Sequence, residues 1–85
     1  MKNHILNVML KIAAENGTEI IKQFNDETIL LDSGLDSLGF AILIARLEED
    51  LGYDPFTIME EAVYPRTFGE LVDIYERFNP GLRVD

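Results

Sequence analysis

Residues 37–51, SLGFAILIARLEEDL, constrain the fold more than any other stretch. At 100° per residue Phe40, Leu43, Ile44, Leu47 and Leu51 fall on one face, which suffices to dock a helix on a core. Leu38, Ala41, Ile42 and Ala45 cluster on roughly the opposite face, with Glu49 beside them and Glu48 on the flank. A helix apolar on both sides is either buried all round or presents one side to a partner. In a chain of 85 residues there are too few other elements to cover both sides. The second face is therefore expected to be a docking patch rimmed by acids.

The rest of the chain repeats the helical period and lacks strand alternation. Ile5, Val8, Met9 and Ile12 recur at i, i+3, i+4 and i+7, which predicts a first helix over residues 4–15 with Asn3 as cap and Gly17 after the last turn. Residues 16–35 carry Gly17, Asn25-Asp26 and Ser33-Gly34, which read as a long loop pinned to the core by Ile20, Ile21, Phe24, Ile29 and Leu31. Gly52 follows the central helix in a position that tolerates a left-handed cap. Thr57 to Glu60 and Thr67 to Glu70 both fit the S/T-x-x-E capping box and mark two further helix starts. Pro65 limits the first to a short helix. The second carries Phe68, Leu71, Val72, Tyr75 and Phe78 as one apolar stripe. The expectation is an all-α fold, a small bundle of three longer helices plus one short helix with a long loop between helices one and two. A single domain over residues 1–79 and a flexible tail over 80–85 complete the division.

Composition narrows function by exclusion. Hydrophobic residues make up 47% and charged residues 27%, so the chain can bury a core. The formal net charge of −9, from 16 acidic and 7 basic side chains, opposes binding to nucleic acid or anionic lipid and favours basic protein surfaces. Without cysteine there is neither a disulfide nor a thiolate metal site, and His4, the only histidine, cannot form a metal cluster by itself. His4 reads as a solvated residue. The chain shows no secretory h-region and no apolar stretch of membrane-span length, so a monomeric, cytoplasmic protein is expected.

Two serines precede the central helix. Ser33, before Gly34, fits a turn in which its hydroxyl bonds to nearby backbone. Ser37 stands at the helix start after Asp36, where free N–H groups favour an anion such as a phosphate ester, although a plain N-cap serine also fits that position. A nucleophilic role lacks a base, since no G-x-S-x-G elbow is present and His4 is far away in sequence. Ser37 reads better as the substrate of another enzyme than as a catalyst, and a small hydrolase is the least favoured class.

The stretch DSGLDSLGFAILIARLEEDLGYDPF, residues 32–56, resembles the acyl carrier proteins and the related peptidyl carrier domains. Asp36-Ser37-Leu38 matches the family hallmark, Gly34 the preceding turn, and Leu47-Glu48-Glu49 the acidic helix end. The resemblance implies that Ser37, next to Asp36, accepts a 4'-phosphopantetheine arm from coenzyme A through a phosphopantetheinyl transferase. The arm's thiol then carries acyl or aminoacyl groups as thioesters between enzymes, and the chain has no catalytic activity of its own. Partners implied are an acyl- or aminoacyl-activating ligase and downstream acyltransferases or synthases. They would meet Leu38, Ala41, Ile42, Ala45, Glu48 and Glu49. Housekeeping fatty-acid carriers commonly place acids where this chain has Gly39 and Ile42, and Arg46 adds a positive charge in mid-helix. These departures point to a dedicated carrier of a specialised pathway, with a housekeeping fatty-acid carrier or a non-covalent helical interaction module as alternatives.

Overall fold

A computed structural model of the chain describes residues 1–20, 24–58 and 64–79. Its elements are α1 (Lys2–Glu15), a 3-10 turn (Leu30–Asp32), α2 (Ser37–Leu51), α3 (Pro55–Ile58) and α4 (Phe68–Arg77). This is the expected small all-α bundle, three longer helices and one short. Ile21, Glu60 and the 80–85 tail lie outside the described residues.

Local chemistry accounts for most helix ends. Asp36, in extended geometry, caps α2 by accepting a hydrogen bond from the Gly39 N–H at 2.7 Å. At the other end Gly52 adopts φ 82°, the left-handed conformation expected of it, and its N–H closes on the Glu48 carbonyl. Thr67 caps α4 through a bond from the Glu70 N–H, and the Glu70 carboxylate in turn accepts from the Arg66 N–H at 2.7 Å. Two expected starts move. α1 begins at Lys2 rather than residue 4, so Asn3 lies inside the helix instead of capping it. α3 begins at Pro55, two residues before Thr57, because Asp54 takes the capping role: its carboxylate accepts from the Phe56 N–H at 2.9 Å and Pro55 supplies a preset first helical residue. Thr57 instead donates its hydroxyl to the Asp54 carbonyl.

α1 packs on α2 across a core that includes Ile5, Met9, Ile12, Leu43 and Leu47. Arg46 pairs with Glu15, and His4 Nε2 lies 3.1 Å from Asp50 Oδ2. The later residue of α1 thus meets the earlier residue of α2, and the helices run in opposite senses. From α4 the core takes Phe68, Leu71, Val72 and Tyr75. Phe78, expected on the same stripe, is only half-buried and follows the last helical residue, while Ile74 is buried.

The long loop differs most from expectation. Ile20 and Phe24 are half-buried against the core as expected, but Ile29 and Leu31 are exposed, and Leu30 and Leu35 are buried in their place. The 3-10 turn changes the period here: with 3.0 residues per turn, Leu30 faces inward and its neighbours on both sides face out. A short antiparallel bridge holds this turn against the start of α4, with the Leu30 N–H donating to the Arg66 carbonyl at 2.9 Å and the Phe68 N–H to the Thr28 carbonyl at 3.0 Å. Gly34 lets the chain turn back to α2 at φ 115°, where a Cβ would stand 2.2 Å from the Glu19 carbonyl oxygen.

Candidate functional site

The two serines have different surroundings. Ser33 is fully buried and its hydroxyl donates to the Leu30 carbonyl at 2.6 Å, closing the 3-10 turn. Ser37 is the first residue of α2 and is exposed. Capping belongs to Asp36, so the Ser37 hydroxyl is left without a hydrogen bond among the described residues. The simple N-cap reading of Ser37 is thereby corrected: the carboxylate one residue earlier reaches the Gly39 N–H, and Ser37 is not needed for it.

Beside Ser37 opens a cleft of about 350 Å³, lined by Ile29, Leu30, Leu31, Ser37, Phe40, Tyr64, Pro65 and Arg66. Its walls are overwhelmingly apolar, and the side chains at its mouth are exposed: Leu31 by 59% and Tyr64 by 74%. Tyr64 stacks on Phe56 with ring centroids 6.4 Å apart. A second apolar hollow, bounded by Phe40, Ala41, Ile44, Phe56 and Tyr64, continues along α2. Sequence reasoning missed Tyr64 and Arg66 and put Ile29 and Leu31 in the core. The available signal was weak, two apolar residues flanking Leu30 just before the Asp-Ser-Gly turn.

On the outer side of α2, Leu38 is 67% exposed, and Ala41, Ala45, Glu48 and Glu49 are exposed as well. Ile42 is half-buried and packs partly against the core. Gly39 is buried beneath Leu35 and the Asp36 cap, and a Cβ there would press to 3.3 Å from both. It therefore lies off the outer surface, and its lack of charge does not describe that face. Nor is Arg46 a free positive charge in mid-helix. Both guanidinium arms meet the Glu15 carboxylate, and this hydrogen bonding holds the Glu15 carboxyl below its ordinary range and raises Arg46. Asp50 is turned toward His4, so Glu48 and Glu49 are the acids left facing outward at the end of α2.

In the core, Tyr53 donates its hydroxyl to the Tyr75 carbonyl at 2.6 Å, while the Tyr75 hydroxyl is buried without a partner among the described residues. Burial, and then the nearby Asp54 carboxylate, push the Tyr75 phenol well above its usual value. Among the described residues no group of three or more His, Cys, Asp or Glu could hold a metal ion. No described helix is long and apolar enough to cross a membrane.

A helical bundle with an exposed serine at the head of its central helix and an apolar cleft beside it is the setting of this site. The chain belongs to the phosphopantetheine attachment site family, whose profile matches residues 5–60, from α1 through α3. It is a carrier protein of the acyl and peptidyl carrier type, bearing covalent 4'-phosphopantetheine. Domains of this family are generally non-catalytic and work with phosphopantetheinyl transferases and biosynthetic enzymes. No curated protein and no solved structure matches the chain.

Proposed function

We propose that Ser37 is the attachment point of the phosphopantetheine arm, and that the chain is a dedicated carrier for a specialised biosynthetic pathway, loaded by an adenylating ligase. One observation carries the attachment: Ser37 is the exposed serine of the Asp-Ser-Leu turn and its hydroxyl is uncommitted, because Asp36 does the capping. In the transfer, Ser37 Oγ bonds to the β-phosphorus of coenzyme A as the pyrophosphate P–O bond breaks. Adenosine 3',5'-bisphosphate leaves, and the serine proton passes to a base of the transferase. The bound arm supplies a thiol that this cysteine-free chain lacks, and that thiol holds cargo as a thioester. The phosphodiester would sit at the N-terminus of a 15-residue helix, beside backbone N–H groups and the positive end of the dipole.

The pathway reading rests on the outer side of α2. Near Ser37 it offers Leu38, Ala41 and Ala45, and the outward acids of the helix itself, Glu48 and Glu49, lie about three turns further along. Such a face suits partners that combine an apolar contact with a basic rim. Exposed charge pairs add little affinity each, which suits a carrier that must be released after every step. Incubation with coenzyme A and a broad-specificity phosphopantetheinyl transferase tests the attachment by intact mass. The wild type gains the mass of the arm and Ser37→Ala gains none, while Ser33→Ala, where it folds, still does. Modification of Ser37→Ala would refute the assignment.

A further inference from the structure

Among the described residues, one cation lines the cleft beside Ser37. Arg66 lines it, in a chain whose net charge is −9. The other described arginines are committed, Arg46 to Glu15 and Arg77 to Asp73, and Lys2 pairs with Asp26. Arg66 forms no ion pair among the described residues, and the nearby Glu70 carboxylate accepts from the Arg66 backbone N–H instead. The Arg66 backbone is held twice, by that bond and by its carbonyl accepting from the Leu30 N–H. The bridge therefore fixes the base of the side chain at the cleft, and its exposed guanidinium is uncommitted among the described residues.

The chemistry of the arm matches the kinds of surface that line the cleft. Directly after the serine oxygen comes a phosphodiester, a permanent monoanion, and one methylene further along a carbon bearing two methyl groups. Ser37 shares its cleft with one guanidinium and with the exposed apolar surfaces of Leu31 and Tyr64. We propose that Arg66 pairs with the phosphodiester and that Leu31 and Tyr64 receive the two methyl groups, so that the arm rests against the cleft between encounters. This deepens the assignment of Ser37 and depends on it. Arg66 is then a positioning residue for the arm. A guanidinium matches a phosphate in a forked geometry that an ammonium does not reproduce, so Lys at this position holds the arm less well. An exposed pair is weak and screened by salt, so the docked arm yields readily to a partner enzyme.

NMR of the isotope-labelled holo chain tests this, after intact mass has established one arm on Ser37. The wild type at low salt shows cross-peaks between the arm's methyl protons and the Tyr64 ring, together with a displaced Arg66 Nε–H resonance relative to the unmodified chain. Both signatures vanish in Arg66→Gln, weaken in Arg66→Lys, and fade in the wild type as salt rises. Arg66 is exposed, so these variants keep the fold, which the unchanged core resonances verify. Modified wild type without the cross-peaks, or Arg66→Gln retaining them, overturns the docking while leaving the Ser37 assignment intact. A chain that gains no mass overturns both.

Discussion

The two sides of α2 carry similar residues and have opposite surroundings. Leu47 is fully buried against α1, whereas Leu38, nine positions earlier on the same helix, is 67% exposed. Neither propensity nor hydropathy separates them. What separates them is the supply of covering elements: α1 and α4 build one core, and the outer side near Ser37 has nothing of this chain laid over it among the described residues. Identical side chains thus serve stability on one side and remain available for recognition on the other.

The same deletion made on both sides is the strongest way to break that contrast. Leu47→Ala should cost about 2 to 5 kcal/mol in denaturant unfolding, because it leaves a cavity in a packed core. Leu38→Ala should stay within about 0.5 kcal/mol. Similar losses at the two positions would mean that the outer side is covered after all. Ile42, half-buried between the two sides, belongs between these limits, and its truncation should slow loading by partner enzymes more than it weakens the fold.

A second test sharpens the description of the covered side, where the buried Tyr75 hydroxyl has no partner among the described residues. Tyr75→Phe removes a buried polar group without changing ring packing and should stabilise the chain by about 1 kcal/mol. The pH dependence follows from its raised phenol. A group whose folded pKa lies above its unfolded value contributes stability that is complete below the unfolded value, near 10, and is lost as pH rises beyond it. The wild type should therefore lose stability above pH 10 more steeply than Tyr75→Phe, as read by thermal unfolding at several alkaline pH values. Parallel curves for the two proteins would contradict the burial of that hydroxyl.

The smallest effect on stability concerns the far end of the outer side. Glu48→Lys with Glu49→Lys should leave unfolding free energy within about 1 kcal/mol, because both residues are exposed and outside the ion pairs. The rate of loading by a partner ligase should fall, and its salt dependence should flatten, since steering acts mainly on association. Stability loss comparable to that of Leu47→Ala would place these acids in the structure rather than at a docking surface.

Much of the fold was legible in residues close together along the chain. The bounds of α2, the left-handed glycine after it, and the threonine cap of α4 depend on contacts within about four positions, and the residue pattern states those directly. The Asp-Ser-Leu turn was legible for the same reason. That Asp36 rather than Ser37 makes the cap was harder to read, because adjacent residues with equal capping propensity compete for one N–H and backbone geometry decides between them.

The cleft, the pairing of Arg46 and the inward turn of Leu30 belong to another level. Leu30 meets Arg66, and Arg46 meets Glu15, across more than thirty positions of chain. No local preference encodes such encounters, since they arise only when α1, α2 and α4 close on a shared core and bring the loop against the head of α4. Reading residues 29–31 as loop anchors by apolar character alone put Ile29 and Leu31 inside, whereas the 3-10 turn, held by the bridge between Ile29 and Thr67, buries Leu30 instead. Local sequence thus determined that an apolar helix would begin at Ser37. Tertiary packing decided which of its sides is covered and which residues stand beside that serine, because covering a surface requires partners that the chain brings back from a distance.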